Sequence, residues 1–142
     1  MNLYFSYGSN MWRQQIMHRC PDHHFFGYGI LKGYRWIISE RGYANIVDSP
    51  SDEVHGVVYR ITEADELSLD EHEGVQKGSY RKEIRSIDVE KTNYRCLVYI
   101  DPIVAVGKPK DEYVQRINKG VADANLAEEY VERYIREFIP LD

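Results

Sequence analysis

The amino-acid sequence predicts an α+β fold: a mixed, barrel-like β-sheet with a few short flanking helices. Three observations carry that expectation. Several aromatic and β-branched runs read as strands, only a few segments have helical composition, and the two kinds do not alternate in the regular β-α-β order of a doubly wound sheet. Strand order is not legible in the pattern. At 142 residues the chain can bury a core without disulfides or a structural metal, and a single domain spanning residues 1–142 is expected.

The run Leu3-Tyr4-Phe5-Ser6-Tyr7 is apolar and aromatic and stops in Gly8-Ser9-Asn10, so it reads as a strand followed by a turn. Glycine permits a sharp bend, Ser or Asn suits a helix N-cap, and Met11 to Arg19 holds helix formers up to Pro21; a helix is expected to begin at the turn. His23 to Leu31 and Tyr34 to Ser39 read as two strands around a tight turn. Arg41 to Val47 reads as a short strand, and Val54 to Ile61 as a buried one that resumes after the breaking run Asp48-Ser49-Pro50-Ser51-Asp52.

Thr62 with Asp65 three residues on predicts a capped helix over Glu63 to Glu73, ended by Gly74. Tyr80 to Val89 and Tyr94 to Ile100 follow as an antiparallel pair joined by Lys91-Thr92-Asn93. Asp111 to Gly120 reads as helical, and Asn125 with Glu128 resembles the capping-box start of a last helix. Tyr130, Val131, Tyr134, Ile135 and Phe138 give that helix one apolar face, expected to pack on the core, with a homodimer contact as the alternative.

Charge and composition remove several function classes. Net charge is −5 and the basic residues are scattered among acids, so no nucleic-acid partner is expected. No apolar run approaches the roughly 20 residues needed to span a bilayer, and the N-terminus enters a strand without a basic start and cleavage site, so a soluble, cytoplasmic protein with no membrane partner is expected. Cys20 and Cys96 have no CxxC partner and are expected to be reduced and partly buried. His18, His23 and His24 lack metal-ligand spacing, so neither a metal nor another cofactor is expected. Gly8 lacks the companion glycines and the Lys-Ser or Lys-Thr pair of nucleotide fingerprints. Tyr7 stands where an esterase elbow needs glycine, which disfavours Ser9 as a nucleophile.

Two places remain for chemistry. The backbone N–H groups of the Tyr7 to Asn10 turn are suited to an anion or a developing oxyanion. At the end of the second helix, Glu71 and Glu73 each have a leucine one turn back, Leu67 and Leu69, and periodicity does not choose between them. A carboxyl held in an apolar pocket has its pKa raised from ~4.3 toward ~6–7 and can exchange a proton near neutral pH.

Taken in order, the landmarks are Tyr4-Phe5-Ser6-Tyr7-Gly8-Ser9-Asn10-Met11, Ala44-Asn45-Ile46 with Ser49-Pro50, Val54-His55-Gly56-Val57-Val58-Tyr59, Leu69-Asp70-Glu71-His72-Glu73-Gly74 with Tyr80, and Tyr113 with Gly120. In these the chain resembles the γ-glutamylcyclotransferase family. The resemblance implies a small barrel-like fold and a cofactor-free release of 5-oxoproline from a γ-glutamyl compound, a small-molecule substrate. It assigns the acid/base role to Glu73 rather than Glu71, substrate binding to Tyr7, Gly8, Ser9 and Asn10, and pocket-lining positions to Tyr80 and Tyr113. The leaving group stays open between an amino acid, an amine and a glutamyl-protected natural product, and a non-catalytic ligand-binding member of the fold is the further alternative. The chain departs from the better-known animal enzymes at His55 for a tryptophan, Glu66 for a leucine and Ala127 for a proline, which puts substrate choice in doubt.

Overall fold

The computed structural model describes residues 2–141. Five strands close into a barrel in the order β1 (Asn2–Ser6), β3 (Ala44–Ile61), β2 (His24–Ile38), β4 (Arg81–Val89) and β5 (Thr92–Ile100). Helices α1 (Arg13–Arg19), α2 (Glu63–His72), α3 (Asp111–Ala124) and α4 (Glu128–Tyr130) flank it, α4 continuing as a π-helical run over Val131–Ile135. The expected mixed barrel with short helices is the architecture found.

Two antiparallel assemblies make up most of the wall. In the first, β2 pairs with β3 from His24↔Arg60 to Ile38↔Ala44, and β3 pairs with β1 from Asn2↔Ile61 to Ser6↔Val57. In the second, β4 pairs with β5 from Arg81↔Ile100 to Val89↔Thr92. They meet along two seams, β2 against β4 at Ile30↔Asp88 and β1 parallel to β5 at Tyr4↔Leu97. The interior is filled by side chains such as Phe5, Trp36, Ile46, Val58, Ile87 and Val98, all essentially inaccessible to water.

Several expected boundaries are corrected. The two strands expected over 23–31 and 34–39 are one strand, β2, and those over 41–47 and 54–61 are one strand, β3. The breaking run does interrupt the ladder: Lys32 pairs with Glu53 and Tyr34 with Asp48, so residues 49–52 bulge opposite Gly33 without ending the strand. A bulge absorbs turn-forming residues while the strands on either side stay in register. Between β4 and β5 the turn is Glu90-Lys91, both at positive φ (49° and 68°), and Thr92 and Asn93 already belong to β5. Two successive left-handed residues are what a tight two-residue hairpin needs.

At the C-terminal end α3 runs past Gly120 to Ala124. Asn125 is not an N-cap: it ends α3 in the left-handed conformation (φ 51°, ψ 50°), and Ala127 precedes α4 without a side-chain cap. Asparagine suits both positions, and backbone geometry chose the helix end. The apolar face of the last helix packs inward, with Tyr130, Val131, Tyr134 and Ile135 buried within the chain. At the first turn, Ser9–Met11 forms a 3₁₀ turn and α1 begins only at Arg13.

Candidate active site

The alternation of β1 is the starting point. Successive strand residues point to opposite faces, so Tyr4 and Ser6 share a face. Both border a cavity of ≈ 430 Å³ at the end of the barrel where β1 and β5 finish and β4 starts. Around it stand Tyr7, Gly8, Ser9 and Asn10 after β1, Tyr80 before β4, Tyr99 of β5 and Tyr113 of α3; Glu73 closes one side from the end of α2. The structure thus brings Glu73, Tyr7, Gly8, Ser9, Asn10, Tyr80 and Tyr113 to one hollow, and Glu71 borders it as an exposed rim residue.

Local rules place Glu73. Thr62 caps α2 as expected: its hydroxyl accepts from the Asp65 amide at 3.1 Å, while the Asp65 carboxylate accepts from the Thr62 amide at 3.3 Å. Leu69, fully buried, anchors the inner face, and the Glu73 amide donates to the Leu69 carbonyl at 2.8 Å. Glu73 is the C-cap, and Gly74 turns the chain away in the left-handed region (φ 65°), where a side chain would be strained. The last helical residue is thereby held at the cavity wall.

Electrostatics separate the two glutamates. The Glu73 residue is half-buried, and burial of its carboxyl raises the pKa from an ordinary 4.5 to about 7, opposed by the nearby Arg19 guanidinium. Among the described residues its side chain makes no hydrogen bond or ion pair, so nothing fixes it in the charged form. The surrounding tyrosines remain protonated: desolvation pushes Tyr4, Tyr7 and Tyr80 well above the ordinary phenol value, with the Glu73 charge adding to the rise. Tyr113 is pushed up to about 12 by burial, the Ala44 and Ser9 amides and the Ser9 hydroxyl restraining it. The cavity therefore presents neutral O–H groups around one carboxyl that titrates near neutrality.

The turn after β1 is fixed from all sides. Trp36 donates its indole N–H to the Tyr7 carbonyl at 2.8 Å, and Tyr59 donates its hydroxyl to the Asn10 carbonyl at 2.9 Å. Asn10 donates its side-chain amide to the Tyr4 hydroxyl at 2.9 Å and accepts from Gln15 at 2.8 Å and Arg19 at 3.1 Å. Tyr7 reaches across the seam to donate to the Tyr99 carbonyl at 2.5 Å. Ala44 serves both pocket tyrosines, its carbonyl accepting from Tyr80 at 2.7 Å and its amide donating to Tyr113 at 3.3 Å.

The expected row of free helix amides is only partly present. The Met11 and Trp12 amides are used within the 3₁₀ turn, on the Gly8 and Ser9 carbonyls at 3.1 and 3.0 Å, and the Ser9 amide bears on the Tyr113 hydroxyl. Hydroxyls thus replace part of that donor set. Sequence reading also missed cations at the cavity, Arg19, Arg41, Lys77 and Arg116, together with the buried Ser6. The period of β1 carried a signal for Ser6; the cations come from four separate segments and had none. The three departures from the animal enzymes lie elsewhere. His55 stacks on Tyr130 with centroids 4.3 Å apart, Glu66 accepts from Lys82 at 2.7 Å, and the Ala127 amide donates to Tyr28 at 2.9 Å; none of the three borders the cavity.

Fold and cavity together define a closed barrel that holds a small-molecule site around a neutral-range carboxyl. Residues 4–120 match the family described as gamma-glutamyl cyclotransferase, AIG2-like. Relatives named gamma-glutamylcyclotransferase are 34% identical in Mus musculus and 32% in Homo sapiens, each match covering 92% of this chain and 76% of the relative. A solved structure of a gamma-glutamyl cyclotransferase superimposes with a TM-score of 0.88 at 29% identity, covering 99% of this chain and 89% of the other. The chain belongs to the γ-glutamyl cyclotransferase, AIG2-like family.

Proposed function

We propose that this protein is a γ-glutamylcyclotransferase that closes a γ-glutamyl compound on itself, releasing 5-oxoproline and a free amino acid or amine. The observation that carries the reading is Glu73: a carboxyl without a fixed partner, in a tyrosine-lined cavity, with a pKa of about 7. A group that titrates near the working pH is effective at both taking and returning a proton.

The substrate's α-ammonium titrates near ~8 and is mostly protonated at neutral pH. Ionised Glu73 takes one proton from it. The freed nitrogen attacks the γ-carbonyl carbon, forming the C–N bond of the five-membered ring while the carbonyl π electrons move to oxygen. That oxyanion is held by donors of the site, the hydroxyls of Tyr4 and Tyr113, which accept from Asn10 and Ala44 and make no donated hydrogen bond among the described residues, and the turn after β1. Collapse breaks the original C–N bond as Glu73 returns its proton to the departing nitrogen, and the ring nitrogen, cationic after the attack, gives up its second proton through Glu73 to the released amine. Because attacker and target share one molecule, folding the substrate correctly supplies much of the rate; effective molarities of well-oriented intramolecular reactions reach ~10⁵–10⁸ M. Tyr7, Gly8, Ser9, Asn10, Tyr80 and Tyr113 bind and fold the γ-glutamyl part. A cytoplasmic setting fits the two buried, unpaired thiols Cys20 and Cys96. Among the described residues no helix is long and apolar enough to cross a membrane.

The test is Glu73→Gln. The variant should keep the circular-dichroism spectrum of the parent and lose at least ~100-fold in 5-oxoproline release, the scale of a lost acid/base. Turnover within a few-fold of the parent would reject Glu73 as that group. Saturable binding of γ-glutamyl compounds with no product from the unmodified protein would instead identify a ligand-binding member of the fold.

A further inference from the structure

Glu73 ends a helix that has little apolar surface to hold it on the barrel. Leu69 is the one buried apolar side chain of α2, while Ala64 and Leu67 are exposed. A single leucine does not fix the rotation and height of a helix, so the seat of α2 depends on polar contacts. Those contacts converge on Lys82 of β4. Its ammonium donates to Glu66 at 2.7 Å and to Asp70 at 2.9 Å, and Tyr99 of β5 donates its hydroxyl to the other Asp70 oxygen at 2.7 Å. Resting on the cyclotransferase reading above, we propose that Lys82 is a positioning residue for the reaction: by pinning Glu66 and Asp70 to the barrel it seats the last turn of α2 and holds the Glu73 carboxyl in the cavity.

Spacing carries the effect along the helix. Glu66, Asp70 and Glu73 follow one another at intervals of four and three residues, so they share one face. Without a cation between them Glu66 and Asp70 repel each other across a turn. The Lys82, Glu66 and Asp70 side chains are only 29%, 18% and 23% exposed, so their attraction is screened less than that of a surface pair. Burial works against the Lys82 charge, but the hydrogen bonds of the two carboxylates outweigh it; its pKa is raised, and it stays a cation at every working pH.

Chain path adds a second reason. Asp70 and Lys82 bracket the stretch that carries Glu73 and Tyr80, and their contact closes that stretch at its base. Lys82 is paired in register with Tyr99, so Asp70 is gripped by neighbours on two strands. Lys82 itself does not border the cavity, which leaves α2 as its route to the chemistry.

The sign of one measurement separates seating from a mere field effect. The charged and titratable groups that face the Glu73 carboxyl are Arg19 of α1, Tyr4 and Tyr7, Tyr80, and Tyr113 of α3, and all stay in place when Lys82 is changed. Loss of a nearby positive charge alone raises a carboxyl pKa. Loss of the seat instead lets the carboxyl reach water, and its pKa falls from about 7 toward the ordinary 4.5.

The test compares Lys82→Met, Lys82→Gln and Lys82→Arg with the parent in the intact chain. Release of 5-oxoproline from γ-glutamyl-alanine and γ-glutamyl-ethylamine is followed across the pH range, alongside an NMR titration of the Glu73 carboxyl carbon. Lys82→Met should lower kcat by about tenfold or more and leave KM within a few-fold, because the turn after β1 still binds substrate while a displaced acid/base costs rate. The acid limb of kcat/KM, which reports the base of the free enzyme, and the NMR titration should both move down by about half a pH unit or more. Lys82→Arg, able to bridge the same two carboxylates, should restore both. Lys82→Gln, which keeps one hydrogen bond, should move them the same way to a smaller extent and decides the matter if Lys82→Met does not fold. Lower thermal stability with unchanged kcat and titration, or a titration that moves upward, overturns the positioning role and leaves the cyclotransferase reading standing. No 5-oxoproline from either compound with the parent overturns both.

Discussion

A single side chain shows how position alone sets chemistry. Glu71 and Glu73 are identical in type and two residues apart, yet one is exposed and the other has its carboxyl buried with a pKa near 7. Stability should record the difference. In an unfolded chain Glu73 ionises at its ordinary 4.5; folded, it resists until about 7. Below about pH 4.5 the group is protonated in both states and costs nothing, and as pH rises through 7 the folded protein comes to hold a buried charge and loses stability. At 1.36 kcal/mol per pKa unit that loss is at most about 3 kcal/mol. Glu73→Gln should therefore raise the melting temperature at pH 8 and leave it nearly unchanged at pH 4.5; equal shifts at the two pH values would contradict a buried, proton-holding carboxyl. None of this was legible in the helix pattern, because Leu67 and Leu69 offer both glutamates an apolar neighbour and only tertiary packing shows that Leu69 is buried while Leu67 is exposed. Family resemblance pointed to Glu73, the one of the two whose carboxyl the fold buries.

Elements that depend on local rules were readable, and those decided by distant partners were not. The α2 capping box, the Gly74 stop and the β4–β5 pair follow from residues close in sequence. The joining of the β2 and β3 segments does not, because residues 49–52 look like a break until the opposing strand is there to carry the ladder past them. Gly56 illustrates the same dependence. In sequence it is one more glycine in a strand, but a Cβ there would lie 2.1 Å from the Ser6 carbonyl oxygen and 2.9 Å from the Phe5 ring. Gly56→Ala should force β1 away from β3 and destabilise the protein by about 1–3 kcal/mol, the usual range for overpacking a tight interior. Chemical denaturation would measure it, and a midpoint equal to the parent's would show that the strand pair has more room than these distances allow. Ser6 borders the candidate site, so turnover should fall as well.

On the scale of the whole molecule, the C-terminal segment is tied to the barrel by a cluster around the β3 bulge. Asp52 accepts from the Ser49 and Tyr134 hydroxyls and lies 3.7 Å from Arg35 and 3.9 Å from Arg133. The Ser49 and Tyr134 hydrogen bonds, with help from the two arginines, hold the Asp52 carboxyl below its ordinary 3.8. Its contribution is complete above that value and disappears as pH falls through the lowered one. Tyr134→Phe should speed amide hydrogen exchange in residues 128–138 several-fold at neutral pH while β4 and β5 keep their protection. Unchanged exchange in that segment would mean its buried face alone holds it in place.

The barrel wall consists of two well-paired assemblies that meet at Tyr4↔Leu97 and Ile30↔Asp88. The candidate site straddles the first of these lines, with Tyr4, Ser6 and Tyr7 arriving from one assembly and Tyr80 and Tyr99 from the other. Whatever pries the two apart separates the walls of the candidate site, although the ladders within each half lie away from that line. The candidate site is thus a property of ring closure, since neither half alone carries the full set of residues around the cavity.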